Sequence, residues 1–232
     1  MIILSFSIQG QKIKQNHKLQ FGLNFSPDYS FRTLKNSDGS ASSDIVIQSR
    51  NNSEIYKLGF TMGLNVRFDC SQSIGFETGI QFSNNGYKTK TRYLFYDPGP
   101  PVQTLPLTVM TLYSFQYVGI PVKAIFSFGK RKAHFISSIG FMTNLLLNEI
   151  EINNYSYNNG TTDKKTVSRP NEFKKIDVSP MISGGIDYSI NVNTHILIEP
   201  TFRYGIIKIK DAPVSEKLWN AGLNVGIYHV IK

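Results

Sequence analysis

The 232-residue chain has one cysteine, Cys70, one tryptophan, Trp219, and only 18% charged residues. A single cysteine excludes an intramolecular disulfide framework and a cysteine-based zinc site. Four scattered histidines argue against a histidine-rich metal centre. No run approaches the roughly 18 apolar residues of a membrane-crossing helix. No glycine-rich phosphate loop, HExxH or CxxC occurs, and no cofactor or metal is expected. Acidic residues are scarce too: 16 Asp and Glu stand against 25 Lys and Arg, for a net charge of +9. A hydrophobic fraction of 41% with 12% aromatics excludes global disorder.

The chain does have a pervasive period of two. In residues 218–231 the odd positions Trp219, Ala221, Leu223, Val225 and Ile227 are apolar, while Asn220, Gly222, Asn224 and Gly226 are small or polar. Residues 56–68 place Tyr56, Leu58, Phe60, Met62, Leu64, Val66 and Phe68 opposite Lys57, Gly59, Thr61, Gly63, Asn65 and Arg67. The same alternation marks 19–25, 74–82, 112–128, 176–188 and 195–208, and less cleanly 135–147. A helix would scatter these residues around its circumference, so the template predicts about eight strands. Pro121 falls inside one of them and cannot donate to a ladder, so weak pairing or a bulge is expected beside it.

The connections alternate in length. Residues 69–73, 129–132 and 191–194 are tight turns, while 35–53, 94–111 and 151–171 are long and polar. That asymmetry is the pattern of an up-and-down outer-membrane barrel with short periplasmic turns and long extracellular loops. A soluble barrel such as a lipocalin buries its apolar face, whereas a membrane barrel turns that face to lipid. Here the polar face is rich in glycine, which suits a narrow interior. About 10 residues at ~3.3 Å rise, tilted ~45°, span an outer membrane. The expectation is an all-β, eight-stranded antiparallel up-and-down transmembrane β-barrel over residues 11–232. Residues 1–10 (MIILSFSIQG) read as the tail of a secretory signal peptide, and the location is the bacterial outer membrane.

Several stretches carry a family resemblance: 76–88 (FETGIQFSNNGYK), 117–123 (YVGIPVK), 177–188 (DVSPMISGGIDY), 198–206 (IEPTFRYGI) and 220–227 (NAGLNVGI). In these the chain resembles the PorT-like outer-membrane β-barrel proteins of Bacteroidetes. The resemblance covers residues 18–231. It implies a barrel without a catalytic signature, and some members are associated with a secretion system for surface proteins.

Glu77, Lys123, Glu199 and Arg203 all project to the polar face, with Lys57, Arg67, Asp177 and Asp187 as further members. Charges in a narrow interior must be paired. A lumen charge network is therefore expected, in which Glu199 and Arg203 pair with Lys123 and Glu77. His134, His195 and His229 could supply a base for a lipid-modifying hydrolase, but no spacing singles out a serine partner. Gly129-Lys130-Arg131-Lys132 is a solvated or headgroup-contacting turn rather than a nucleic-acid site. Tyr93, Tyr96, Tyr113, Tyr155 and Tyr157 lie in or beside the long connections and form a candidate binding rim. The functional expectation is a monomeric, non-enzymatic barrel in contact with outer-membrane lipid. It would bind a protein partner through its extracellular loops or support surface-protein secretion. The alternative is a small pore or a hydrolase.

Overall fold

Side-chain alternation decides the architecture, because successive residues of a strand face opposite sides of a sheet. The computed structural model describes residues 18–96, 105–129 and 131–231, apart from the side chain of Pro170. The expected signal segment, residues 97–104 of the second long connection and Lys130 of the basic turn lie outside these residues. The strands are β1 (Lys18–Asn36), β2 (Glu54–Asp69), β3 (Ile74–Thr89), β4 (Arg92–Tyr93), β5 (Pro106–Phe128), β6 (Ala133–Tyr157), β7 (Thr162–Ser168), β8 (Ile176–Ser189), β9 (Thr194–Tyr204) and β10 (Val214–Ile231). One helix, α1 (Ala41–Ser53), follows β1, and a 3-10 turn (Pro170–Glu172) precedes β8.

The eight-stranded closed architecture read from the sequence is corrected by the pairing. The strands form one ten-stranded antiparallel sheet in the order β4-β5-β3-β2-β1-β10-β9-β8-β6-β7, with an additional β5–β6 pairing. Of the two extra strands, β7 arises inside the connection read as 151–171, and β4 lies just before the one read as 94–111. Where β3 ends, β4 continues along β5 with Arg92 opposite Val109; where β8 ends, β7 continues along β6 with Thr162 opposite Ser156. Their sequences lack apolar alternation because neither face is covered, and backbone pairing does not require it. The sheet edges are therefore β4 and β7. Lys164 and Lys165 sit on the β7 edge, the kind of charged decoration that discourages edge-to-edge association.

The sheet curls with its polar face inward. Leu23, Leu64 and Ile80 are each more than 60% exposed on the convex side, while their neighbours Asn24, Asn65 and Gln81 are buried. Hydrogen bonds cross between strands that are not ladder partners, such as Tyr228 on β10 to Glu77 on β3. A water-soluble fold would invert this distribution; lipid is the solvent that accepts it. Two apolar layers interrupt the polar interior. Ile125, Ile136, Leu197 and Tyr228 form one, and Tyr87, Phe115, Tyr117, Leu146, Ile209 and Leu218 form the other. They explain the blurred alternation of residues 135–147, where Ile136, Met142 and Leu146 point inward while Phe135, Phe141 and Leu145 point outward.

Each mid-strand proline keeps one ladder and interrupts the other, as a residue without an N–H must. Pro121 stays in register with Met142 on β6, but the β3–β5 ladder is broken between Thr78–Val122 and Gln81–Gly119. The register is the same on both sides of that gap, so the outcome is weak pairing and not a bulge. Pro27 and Pro200 leave equivalent gaps facing β10 and β8. A register shift does occur between Tyr56 and Phe60 on β2. Opposite it Gly86 adopts φ +145°, a conformation that glycine enters without strain, and its N–H donates to Ser30 Oγ at 2.8 Å.

Candidate interior network and outer rim

The centre of the interior is organised around Lys123. Ladder pairing sets Lys123 on β5 directly beside Glu77 on β3, and Glu199 reaches across from β9. Lys123 Nζ lies 2.6 Å from Glu77 Oε1 and 3.1 Å from Glu199 Oε1. The remaining carboxylate oxygens are also occupied. Tyr228 donates its hydroxyl to Glu77 Oε2 at 2.9 Å, and Ser183 donates to Glu199 Oε2 at 2.6 Å. Asn224 donates to Glu199 Oε1 at 3.0 Å. A cation shared by two hydrogen-bonded carboxylates is fixed in place, and neither carboxylate is left over as a proton acceptor.

Arg203 does not join that cluster. Its Nη1 lies 3.3 Å from Asp28 Oδ2, and Asp28 also accepts from Ser26 and Thr61. Lys57 binds Asn84, the Asn85 carbonyl and Ser114, without a carboxylate. Asp177 accepts from Asn144 and Ser179. Asp28 went unrecognised in the sequence because its partner lies 175 residues away on β9, across the intervening β10, and periodicity identifies faces without identifying levels.

Two further networks cap the interior. At the short-turn end Arg67 donates to Asp69 at 2.9 Å and to Asp187 at 3.1 Å. His195 Nδ1 lies 2.8 Å from Asp187 Oδ1, and its ring stacks on Tyr228. His134 approaches the same carboxylate at 3.9 Å. These groups line a cavity of about 410 Å³ together with Lys18 and Arg131. Both histidines thus converge on one aspartate that Arg67 already holds. His229 lies apart, 3.1 Å from Thr194 Oγ1. No cluster of three or more metal-ligating side chains occurs among the described residues.

At the long-connection end Glu54 accepts from Arg32 Nε at 2.7 Å and from Arg50 Nε at 2.7 Å. Arg50 continues to Glu216 on β10 at 2.9 Å and to the Tyr87 hydroxyl. Arg50 belongs to α1, so the last turn of the helix is tied to β2, β3 and β10. Its first turn is capped by Ser40 Oγ, which accepts from the Ser43 N–H. Ser40→Ala is expected to remove about 1 kcal/mol from the helix. Faster amide exchange confined to 41–49, with the strands unchanged, is the measurement that checks it.

Four of the five tyrosines gather at the start of β5. Tyr93 pairs opposite Thr108, Tyr155 opposite Val109 and Tyr157 opposite Pro106, while the Tyr96 hydroxyl donates to the Pro106 carbonyl at 2.8 Å. Tyr93 and Tyr96 are exposed. Tyr113 is separate: it is half-buried against Tyr87, with ring centroids 4.8 Å apart.

A curled antiparallel sheet with a charged, filled interior and an apolar exterior defines an outer-membrane β-barrel protein. The chain matches the family model described as "Outer membrane protein beta-barrel domain" over residues 9–211 and belongs to that family. It is a protein of the bacterial outer membrane. Similar solved structures include Neisserial surface protein A, at 12% identity and TM-score 0.45, covering 91% of this chain and 96% of that one. A major outer membrane protein from Thermus thermophilus is 9% identical at TM-score 0.44, covering 92% and 99%. The outer membrane protease OmpT from Escherichia coli is 7% identical at TM-score 0.41, covering 97% and 100%. No curated protein matches the chain.

Proposed function

We propose that this chain is a non-enzymatic outer-membrane protein that presents its long connections to a protein partner outside the cell. The observation that carries this reading is the filled interior. Lys123 is locked between two carboxylates, Arg203 is held by Asp28, and Arg50 ties Glu54 to Glu216 at the long-connection end. A passage so occupied offers little path for ions, and its charged groups are engaged with one another. Binding function then falls to the solvent-facing end, where β4 to β7 and the Tyr93–Tyr96 segment extend beyond the other strands. The resemblance to PorT-like proteins favours a component of a surface-protein secretion system as that partner.

In planar bilayers the protein is expected to show no steady conductance, and a stable open level refutes the filled-interior reading. Deletion of 158–161, the turn between β6 and β7, together with Tyr93→Ala and Tyr96→Ala, is expected to abolish co-purification of the partner. Retention of the partner by that variant would place recognition elsewhere. A lipid hydrolysis assay separates the rival reading: turnover that disappears in His195→Ala would make the protein an enzyme.

A further inference from the structure

On one side of the molecule the apolar exterior ends in a row of aromatic residues. Trp219 on β10 is the ladder partner of Phe31 on β1 and of Tyr204 on β9, and the Phe31 and Trp219 rings meet edge to face at 6.2 Å. Such a row marks the boundary between acyl chains and headgroups. One step further along the same outward face stand Lys217 on β10 and, beyond Thr33, Lys35 on β1. Lys208 and Lys210 follow β9, and Lys174 precedes β8. The Lys174 N–H donates to Ile209 O, and the Ile209 N–H to Glu216 O, so these segments lie side by side.

Lys35, Lys217, Lys208, Lys174 and the neighbouring Lys175 therefore share this margin with Asp211, while Lys210 turns toward Glu172 and the cavity lined by Asp38 and Glu216. Asp211 is taken by Lys208 at 2.6 Å and Lys174 at 3.2 Å, and hydrogen bonds from Lys208 and then Lys174 hold its carboxyl below the usual range. Glu172 lies 3.3 Å from Lys210. Among the described residues Lys35 and Lys217 have no acidic partner. An excess of ammonium groups beside a half-buried aromatic row, with Phe202 exposed on its membrane side and Ile206 and Ile176 exposed at the level of the lysines, suits a ligand with a phosphate at one end and hydrocarbon at the other.

We propose that this margin binds the phosphate-bearing headgroup of an outer-leaflet lipid, whose acyl chains lie along the Phe31–Trp219–Phe202 surface. A free phosphate ion would use the lysines but not the apolar row. This inference rests on the outer-membrane location and is independent of any extracellular partner.

Trp219 is the only tryptophan and lies at the margin, so its emission reports occupancy. Full-length protein in zwitterionic detergent is titrated with bisphosphorylated lipid A, with dephosphorylated lipid A and with inorganic phosphate. Saturable binding of the bisphosphorylated lipid is expected, weakened at least tenfold in Lys35→Gln/Lys217→Gln. It should be unchanged in Lys164→Gln/Lys165→Gln, which removes the same charge from β7. Lys217→Arg is expected to retain binding, and circular dichroism of each variant confirms its fold. Binding unaltered by Lys35→Gln/Lys217→Gln overturns the site. Equal loss in the β7 variant overturns its location, and displacement of the lipid by equimolar inorganic phosphate overturns its assignment to a lipid.

Discussion

Lys123→Met is expected to lower stability by about 3–5 kcal/mol, the usual consequence of removing one partner from a buried ion cluster. The substitution leaves Glu77 and Glu199 facing each other with no cation between them, both on buried side chains. Tyr228, Ser183 and Asn224 still donate to them, but neutral donors do not cancel two charges. The protein must either take up a proton at one carboxylate or admit water. Urea titration in detergent, followed by Trp219 emission, reads the change as a fall in the midpoint. Adding Glu77→Gln and Glu199→Gln to Lys123→Met is expected to restore much of the loss, because the cost lies in the unpaired charges. Midpoints for wild type and Lys123→Met that coincide would show that the centre of the interior is wet enough to need no pairing. Glu199→Gln alone is expected to fall between the two.

A second large effect is expected at a residue with no side chain. At Gly185 on β8 a Cβ would lie 2.6 Å from Glu199 Cα and press on the Ile198 carbonyl. Both are backbone atoms of the facing strand, so no side-chain rotation relieves the contact. Gly185→Ala is therefore expected to cost at least the ~1–3 kcal/mol of ordinary overpacking, with the loss concentrated in the β8–β9 ladder. The adjacent Gly184 provides the control. A Cβ there meets Phe135 Cζ at 3.5 Å, an ordinary contact on the lipid side, so Gly184→Ala is expected to stay within about 0.5 kcal/mol of wild type. Amide exchange that accelerates in β8 and β9 for Gly185→Ala and stays slow for Gly184→Ala checks both. Similar behaviour of the two variants would mean that the strands can separate without penalty.

Which face of each strand is polar was legible from the sequence, because the pleat repeats every two residues and lipid leaves only apolar groups on the other side. Glu77, Lys123, Glu199 and Arg203 all face inward for that reason. Their partners were less legible. Lys123 meets Glu77 through the β3–β5 ladder, but Arg203 goes to Asp28, because depth along the axis depends on stagger between strands rather than on period. Strand number was misjudged at β4 and β7, whose residues lie in water and carry no alternating signal. The helix α1 escaped notice for a similar reason: only Ser43 of its side chains is buried, so no apolar stripe announces it. What shows it instead is local chemistry, the Ser40 cap and Arg50 in the last turn.

The ladder between β1 and β10 has a consequence for the order of folding. It runs from Leu19 opposite Ile231 to Asn36 opposite Val214, so it joins the first and last strands of the sheet across almost the whole sequence. Hairpins such as β2–β3 form after closing a turn of a few residues, whereas this ladder must wait for a loop of about 180 residues, at an added entropic cost of order 3 kcal/mol. Non-local pairing of this kind is the slow step of folding. Until it forms, β1 and β10 each expose a line of unsatisfied peptide groups more than a dozen residues long, open to strands of other chains. The interval between the first hairpin and that last ladder is therefore when the nascent protein most needs an escort that covers a bare strand.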